Sequence, residues 1–178
     1  MHWACAVLMI TVTSPLAAAD MSDTAASRTS FIARHRCAIV EHLEIMHQRG
    51  PIEESRDRFI VVALRGAPQR YVQCIFQDRN TRMFCEASSG AYGPTGEGQL
   101  QLGPPERAAL NALGYVQASP SKNFARDVVI GDPPDVTIAA DLMLAALHDG
   151  YGAGPGSVIE IQAPSGDDPV VACGTPAS

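Results

Sequence analysis

The clearest pattern of apolar and polar positions lies between Arg58 and Ala87. Phe59 to Leu64 is an unbroken apolar run. Between Arg70 and Phe76 the period is two, with Val72, Cys74 and Phe76 set against Tyr71, Gln73 and Ile75. Between Thr81 and Ala87, Met83, Cys85 and Ala87 alternate with the polar Arg82 and Glu86. A two-residue period places successive side chains on opposite sides of a pleated strand. Gly66-Ala67-Pro68-Gln69 and Gln77-Asp78-Arg79-Asn80 are turn-forming breaks. The pattern therefore predicts a three-stranded antiparallel meander. Its first strand is apolar on both faces, with Phe59, Val61 and Ala63 on one and Ile60, Val62 and Leu64 on the other. Such a strand belongs in the middle of a sheet, or under a helix and a partner.

Helical spacing flanks the meander. Ile32, Ile39, Leu43 and Met46, widened by Val40, predict a helix from Ser30, capped by Thr29 or Ser30 and stopped by Gly50-Pro51. Residues 51–57 form a charged connector, and Ser88–Gly98 reads as a Gly- and Ser-rich loop. Pro104-Pro105-Glu106 opens a short helix with Ala109, Leu110 and Leu113 on its apolar side and Gly114 after its end. Asn123–Ile130 reads as a strand, broken by Gly131-Asp132-Pro133-Pro134. Asp135 caps a third helix, whose stripe is Val136, Ala140, Met143, Leu147 and Tyr151. Ser157–Ile161 closes the series as a strand. The expected fold is α+β: a small antiparallel β-sheet flanked by three helices, in the order helix-strand-strand-strand-helix-strand-helix-strand. One domain is expected at 30–162, after a lead-in at 1–29 and before a polar, disordered tail at 163–178.

Composition adjusts this picture slightly. The 178 residues are 46% hydrophobic and 18% charged, with a net charge of −6. That balance supports one real core. Acidity and scattered arginines leave no footprint for non-specific nucleic-acid binding. No apolar run approaches the roughly 20 residues of a membrane-spanning helix. Trp3–Val12 followed by Ala17-Ala18-Ala19 resembles a signal peptide without basic residues at its start. Met21-Ser22-Asp23-Thr24 resembles an ordinary start, which would make residues 1–20 a mis-called extension. The second reading implies a cytoplasmic protein and the first a secreted one. Of the five cysteines, Cys74 and Cys85 fall inside strands, where cysteine behaves as a small buried hydrophobe. A disulfide between them is geometrically open and would require an oxidising compartment.

Catalytic constellations are not found. His35, His42 and His47 lie on the first helix without the i, i+4 spacing of paired ligands, so no metal site is expected and the rings read as solvated. His148 reads as a cation near a helix C-terminus. Cys37 has no histidine in phase to serve as its base, and core packing is the simpler role. Ser88-Ser89-Gly90 lacks a nucleophile elbow, and Gly93–Gly98 lacks the lysine of a phosphate loop. Asp132, Asp135 and Asp141 are explained by capping and exposure. No enzyme activity and no cofactor are expected.

Four segments carry a family resemblance. Arg58–Leu64, Arg70-Tyr71-Val72-Gln73, Pro105–Tyr115, and Asn123-Phe124-Ala125-Arg126 with Ala139-Ala140-Asp141-Leu142 resemble the strands and helices of the TY-Chap N-terminal domain of actinobacterial proteins, which is similar to type III secretion chaperones. The resemblance spans about residues 30–162. The chain departs from the family pattern in having a single aromatic, Phe124, before Ala125, and Ile130-Gly131-Asp132-Pro133-Pro134 where a Trp-Pro exit is usual. The resemblance implies non-enzymatic binding of an extended or partly unfolded protein or peptide client, with a homodimer as one assembly. Phe59, Val61, Tyr71, Gln73 and Phe124 are the expected surface or half-buried contacts. Two other readings stand beside it. One is a structural or immunity-type partner of a single folded protein. The other is an enzyme using Cys37 or the 88–98 loop.

Overall fold

The computed structural model describes residues 16–48, 58–96 and 98–164. Three helices and six strands follow one another as α1 (Leu16–Gln48), β1 (Phe59–Leu64), β2 (Ala67–Gln77), β3 (Arg82–Ala87), α2 (Pro104–Ala112), β4 (Val116–Gln117), β5 (Phe124–Val129), α3 (Thr137–Tyr151) and β6 (Ile159–Gln162). The architecture is the expected α+β arrangement, with the two-residue β4 as an addition. That strand is too short to show a period, and pairing with β5 creates it. The sheet order is β4-β5-β3-β2-β1-β6, and each neighbouring pair is antiparallel. The meander thus forms the centre of the sheet, and β1 lies between β2 and β6.

The β2–β3 reversal places Arg79 and Asn80 in the left-handed region, at φ 56° and 70°. Two successive positive φ angles follow the right-handed twist of the strands they join. The register then sets Cys74 directly opposite Cys85, and the two are joined by a disulfide. Both cysteines face the helices and are buried as expected, but they are bonded to each other rather than free thiols, because the register brings them face to face.

α1 begins at Leu16, well before Ser30, so the expected unordered lead-in at 21–29 is helical. No proline or glycine interrupts 16–48, and alanine-rich sequence favours the helix. Tertiary contacts hold this early portion: Ser27 Oγ lies 3.3 Å from His148 Nε2, and Arg28 Nε lies 3.2 Å from Asp149 Oδ2. The buried stripe of α1 is Phe31, Ile39, Leu43 and Met46, with Ile32 and Val40 half-buried beside it. The larger Phe31 fills the place expected of Ile32. After the helix, Arg58 is buried, stacks over Phe76 at 5.2 Å and donates to the His47 carbonyl at 3.3 Å. It thereby meets an open carbonyl at the negative end of α1. The expected stop at Gly50-Pro51, the connector at 51–57 and the tail from 165 onward lie outside the described residues.

α3 is buried almost all round, because it packs on α1, α2 and β2 at once. The expected stripe is buried throughout, together with Ala139, Leu144 and Ala146. Asp135 performs the expected cap one residue before the formal cap position: its Oδ1 accepts from Thr137 N at 3.0 Å. Those bonds from Thr137 hold the Asp135 carboxyl below its ordinary pKa. Gly152 ends the helix in the left-handed region at φ 72°. Gly150 allows α2 to approach, since a Cβ there would stand 2.7 Å from Leu110 Cδ2.

Candidate functional site: the uncovered face of the sheet

Alternation along the strands divides the sheet into two faces. Ile60, Val62, Val72, Cys74, Phe76, Met83, Cys85 and Val128 point toward the helices and are buried. Phe59, Val61, Tyr71, Gln73, Ile75, Phe84 and Glu86 point the other way. Among the described residues no helix packs on that second face: α1 and α3 pack on each other and on the first, and α2 packs on α3.

The register aligns the second face into rows across the strands. Phe59 is opposite Ile75, Ile75 opposite Phe84, and Phe84 opposite Asp127. The next row is Val61, Gln73, Glu86 and Ala125. Phe59 is 38% exposed and Ile75 40%, while Val61 and Phe84 are half-buried. Phe59, Gln73, Ile75, Phe84 and Glu86 surround a shallow hollow of about 310 Å³. Three adjacent apolar side chains thus form a band with polar groups along its margin. Gln73 Nε2 donates to Glu86 Oε2 at 2.6 Å. Arg82 Nη2 stands 3.7 Å from Asp127 Oδ2. The Tyr71 hydroxyl accepts from Asn123 Nδ2 at 3.2 Å, and Asn123 Oδ1 in turn accepts from Ser89 N at 3.0 Å. Tyr71 therefore anchors the 88–98 loop to the end of this face.

Four of the five expected contact residues share this face: Phe59, Val61, Tyr71 and Gln73. Phe124 does not. It is 3% exposed and lies opposite Ala87 on the helix-covered side. A lone aromatic at a strand end carries no mark of which side it faces; pairing with β3 sets its parity. Ile75 and Phe84, which line the same hollow, were not among the residues expected from the sequence. The signal was present for Ile75, which follows Tyr71 and Gln73 at the same two-residue period.

The histidines are more engaged than a solvated reading allows. His35 Nε2 lies 3.0 Å from the Ser157 carbonyl and packs edge-on against Phe31, with centroids 4.9 Å apart. Burial holds its pKa below the usual histidine value. His148 is only 8% exposed at the C-terminal end of α3, with Nδ1 2.7 Å from Asp149 Oδ1 and Nε2 facing Ser27. This Ser27–His148–Asp149 chain has the order of a catalytic triad. Ser27 sits inside α1, whose own backbone N–H groups are bonded along the helix. The Ser27–His148 contact joins α1 to α3 as a clasp. Cys37 is exposed on α1 rather than packed in the core, and it is disulfide-bonded. Among the described residues no cluster of three His, Cys, Asp or Glu is placed to hold a metal ion, and no helix is long and apolar enough to cross a membrane.

Taken together, the described residues form a helix-backed antiparallel sheet with one face that no helix covers, where apolar side chains are partly exposed. Comparison with known families makes this specific. Residues 33–165 match the family described as "T3SS (YopN, CesT) and YbjN peptide-binding chaperone 3", TY-Chap3, and the chain belongs to that family. No curated protein and no solved structure matches the chain.

Proposed function

We propose that this chain is a non-enzymatic, chaperone-like domain that holds an extended or partly unfolded protein segment against the open face of its sheet. The observation that carries the reading is the aligned row Phe59–Ile75–Phe84, apolar and partly exposed at the centre of a sheet whose other face is fully covered. Membership of a peptide-binding chaperone family supports it. Phe59, Val61 and Gln73 form the contact, joined by Ile75 and Phe84, and Tyr71 fixes its margin. The same face offers a place for a second copy, so a homodimer and a client would compete for it. Catalysis is not part of the role: Cys37, the nucleophile of the enzyme reading, is oxidised in this structure.

The same chemistry bears on the compartment. Disulfides at Cys74–Cys85 and at Cys37 favour the exported alternative over the cytoplasm, because cytosolic thiols are kept reduced. Phe59→Asp tests the function. It should leave cooperative unfolding intact while abolishing capture of reduced, alkylated client proteins; loss of the fold instead would make the row mere core. Capture of several unrelated unfolded proteins supports the chaperone reading, whereas one stoichiometric folded partner would replace it with the immunity-type one.

A further inference from the structure

Two adjoining hollows lie away from the open face, at the end of the sheet near the C-terminus of α3. The larger, about 710 Å³, is bounded by Gly66, Pro68 and Gln69 on the arm of β2 and by Pro94 and Leu100 of the loop. The smaller, about 290 Å³, is bounded by Pro105, Glu106 and Gly152. Arg70, Leu100 and Gln101 line both. The larger volume is in the range of ligand-sized clefts. β2 reaches into this region because it is 11 residues long while β3, its partner, has 6. The β2–β3 ladder begins only at Val72, so Ala67–Arg70 extend past the end of β3.

Among the described residues, Arg70 is the one charged side chain lining the larger hollow. A guanidinium has five N–H donors in a fixed fork. Arg70 uses one of them, from Nη1 to the Tyr151 carbonyl at 3.2 Å, which holds the side chain at the mouth shared by the hollows. The Asp149 carboxylate in the smaller hollow is already engaged by Arg28 and His148. Glu106 Oε2, also at the smaller hollow, is enclosed and has no hydrogen-bond partner.

We infer that this cleft takes an extended peptide segment carrying an aspartate or glutamate side chain, whose carboxylate pairs with the free edge of the Arg70 guanidinium. The inference rests on the peptide-binding reading and adds a second, polar subsite to the apolar face. The carboxylate belongs to a side chain and not to a chain end, because Arg70 stands between two hollows and a segment lying through both passes it midway. Glu106 disfavours a second acid on the side of α2 and favours a lysine, arginine or amide there. The site therefore selects an isolated acid beside a donor, not an acidic run.

Fluorescence polarisation on the full, oxidised chain tests this with acetylated, amidated 12-residue peptides. Each contains a single glutamate and is paired with a glutamine copy and with a glutamine copy ending in a free carboxylate. Glutamate peptides should bind at least roughly tenfold more tightly than their glutamine copies, as a charge-assisted pair implies. Arg70→Gln should erase that preference and Arg70→Lys should restore part of it, with melting temperatures near wild type because Arg70 is exposed. Glu106→Gln should relax rejection of peptides with a second acid. Equal binding of glutamate and glutamine peptides would overturn the subsite and leave the peptide-binding reading standing. Preference for the free carboxylate, or a dimer that Arg70→Gln dissociates, would overturn it in favour of a chain terminus or a second copy. If neither these peptides nor alkylated client proteins bind, the subsite and the peptide-binding reading fall together.

Discussion

Phe76 and Phe59 sit one strand apart in the same sheet and meet opposite environments. Phe76 is buried on the helix side, with the Arg58 guanidinium over its ring and the His47 ring centroid 6.1 Å away. Phe59 stands on the bare face with 38% of its surface exposed. The strands supply apolar side chains to both faces, yet the helices cover only one. A folded domain gains from burying such surface, so a face left open at the centre of a sheet is where a partner has most to contribute. On the same face Ala63 is buried, since Tyr71 lies opposite it in register, so the open band is confined to the Phe59 end.

The contrast can be broken most decisively by truncating each phenylalanine. Phe76→Ala should cost about 3–5 kcal/mol, the range for a buried aromatic. Phe59→Ala should cost about 1 kcal/mol, because much of its surface is wet already. Urea unfolding measures both, and equal losses would mean that the open face is core. A smaller effect follows from removing the covered face's covalent tie. Replacing Cys74 and Cys85 together by alanine releases a loop with a sequence separation of 11, which should cost about 2–4 kcal/mol by the chain-entropy account. Client capture through the opposite face should persist in that variant under conditions where it stays folded. Smaller again, Ser27→Ala removes one contact of the clasp between α1 and α3 and should cost about 1 kcal/mol. Faster amide exchange confined to the first turns of α1 would localise that loss.

The smallest effect expected is a pH dependence on the helix side. Burial lowers the pKa of His35 in the folded state. The unfolded chain then binds more protons near neutrality, so stability rises with pH through the ordinary histidine value of about 6.5 and falls below it. His35→Gln should flatten the difference in urea midpoint between pH 5.5 and pH 8. If the slope were unchanged, the proton uptake would belong elsewhere. Asp135 acts with the opposite chemistry and the same sign. Its carboxyl pKa is lowered, so its contribution is present above the unfolded value and lost as pH falls through the folded one.

Much of the fold was legible along the chain because strands and helices have short, distinct periods. The alternation from Tyr71 to Phe76 and the stripe from Val136 to Tyr151 each require only neighbours in sequence, and both are found as expected. The helical start at Leu16 was not legible in the same way. Polar, small residues at 21–29 carry no apolar stripe, and their order comes from His148 and Asp149 more than a hundred residues away. β4 was hidden for a similar reason, since two residues have no period and only β5 makes them a strand.

For the candidate site, sequence by itself determined that β1 is apolar on both faces and that Tyr71, Gln73 and Ile75 share a side, because parity along a strand is a local property. Tertiary structure alone decided which side stays open. Among the described residues α1 and α3 pack on the Ile60 face and α2 packs on α3, leaving Phe59, Ile75 and Phe84 as a row that exists only once three strands are in register. It also sent Phe124 to the covered side through its pairing with Ala87, and set the Arg70 guanidinium between two hollows by a bond to the end of α3. Those outcomes depend on contacts between residues far apart in the chain, which no local period encodes.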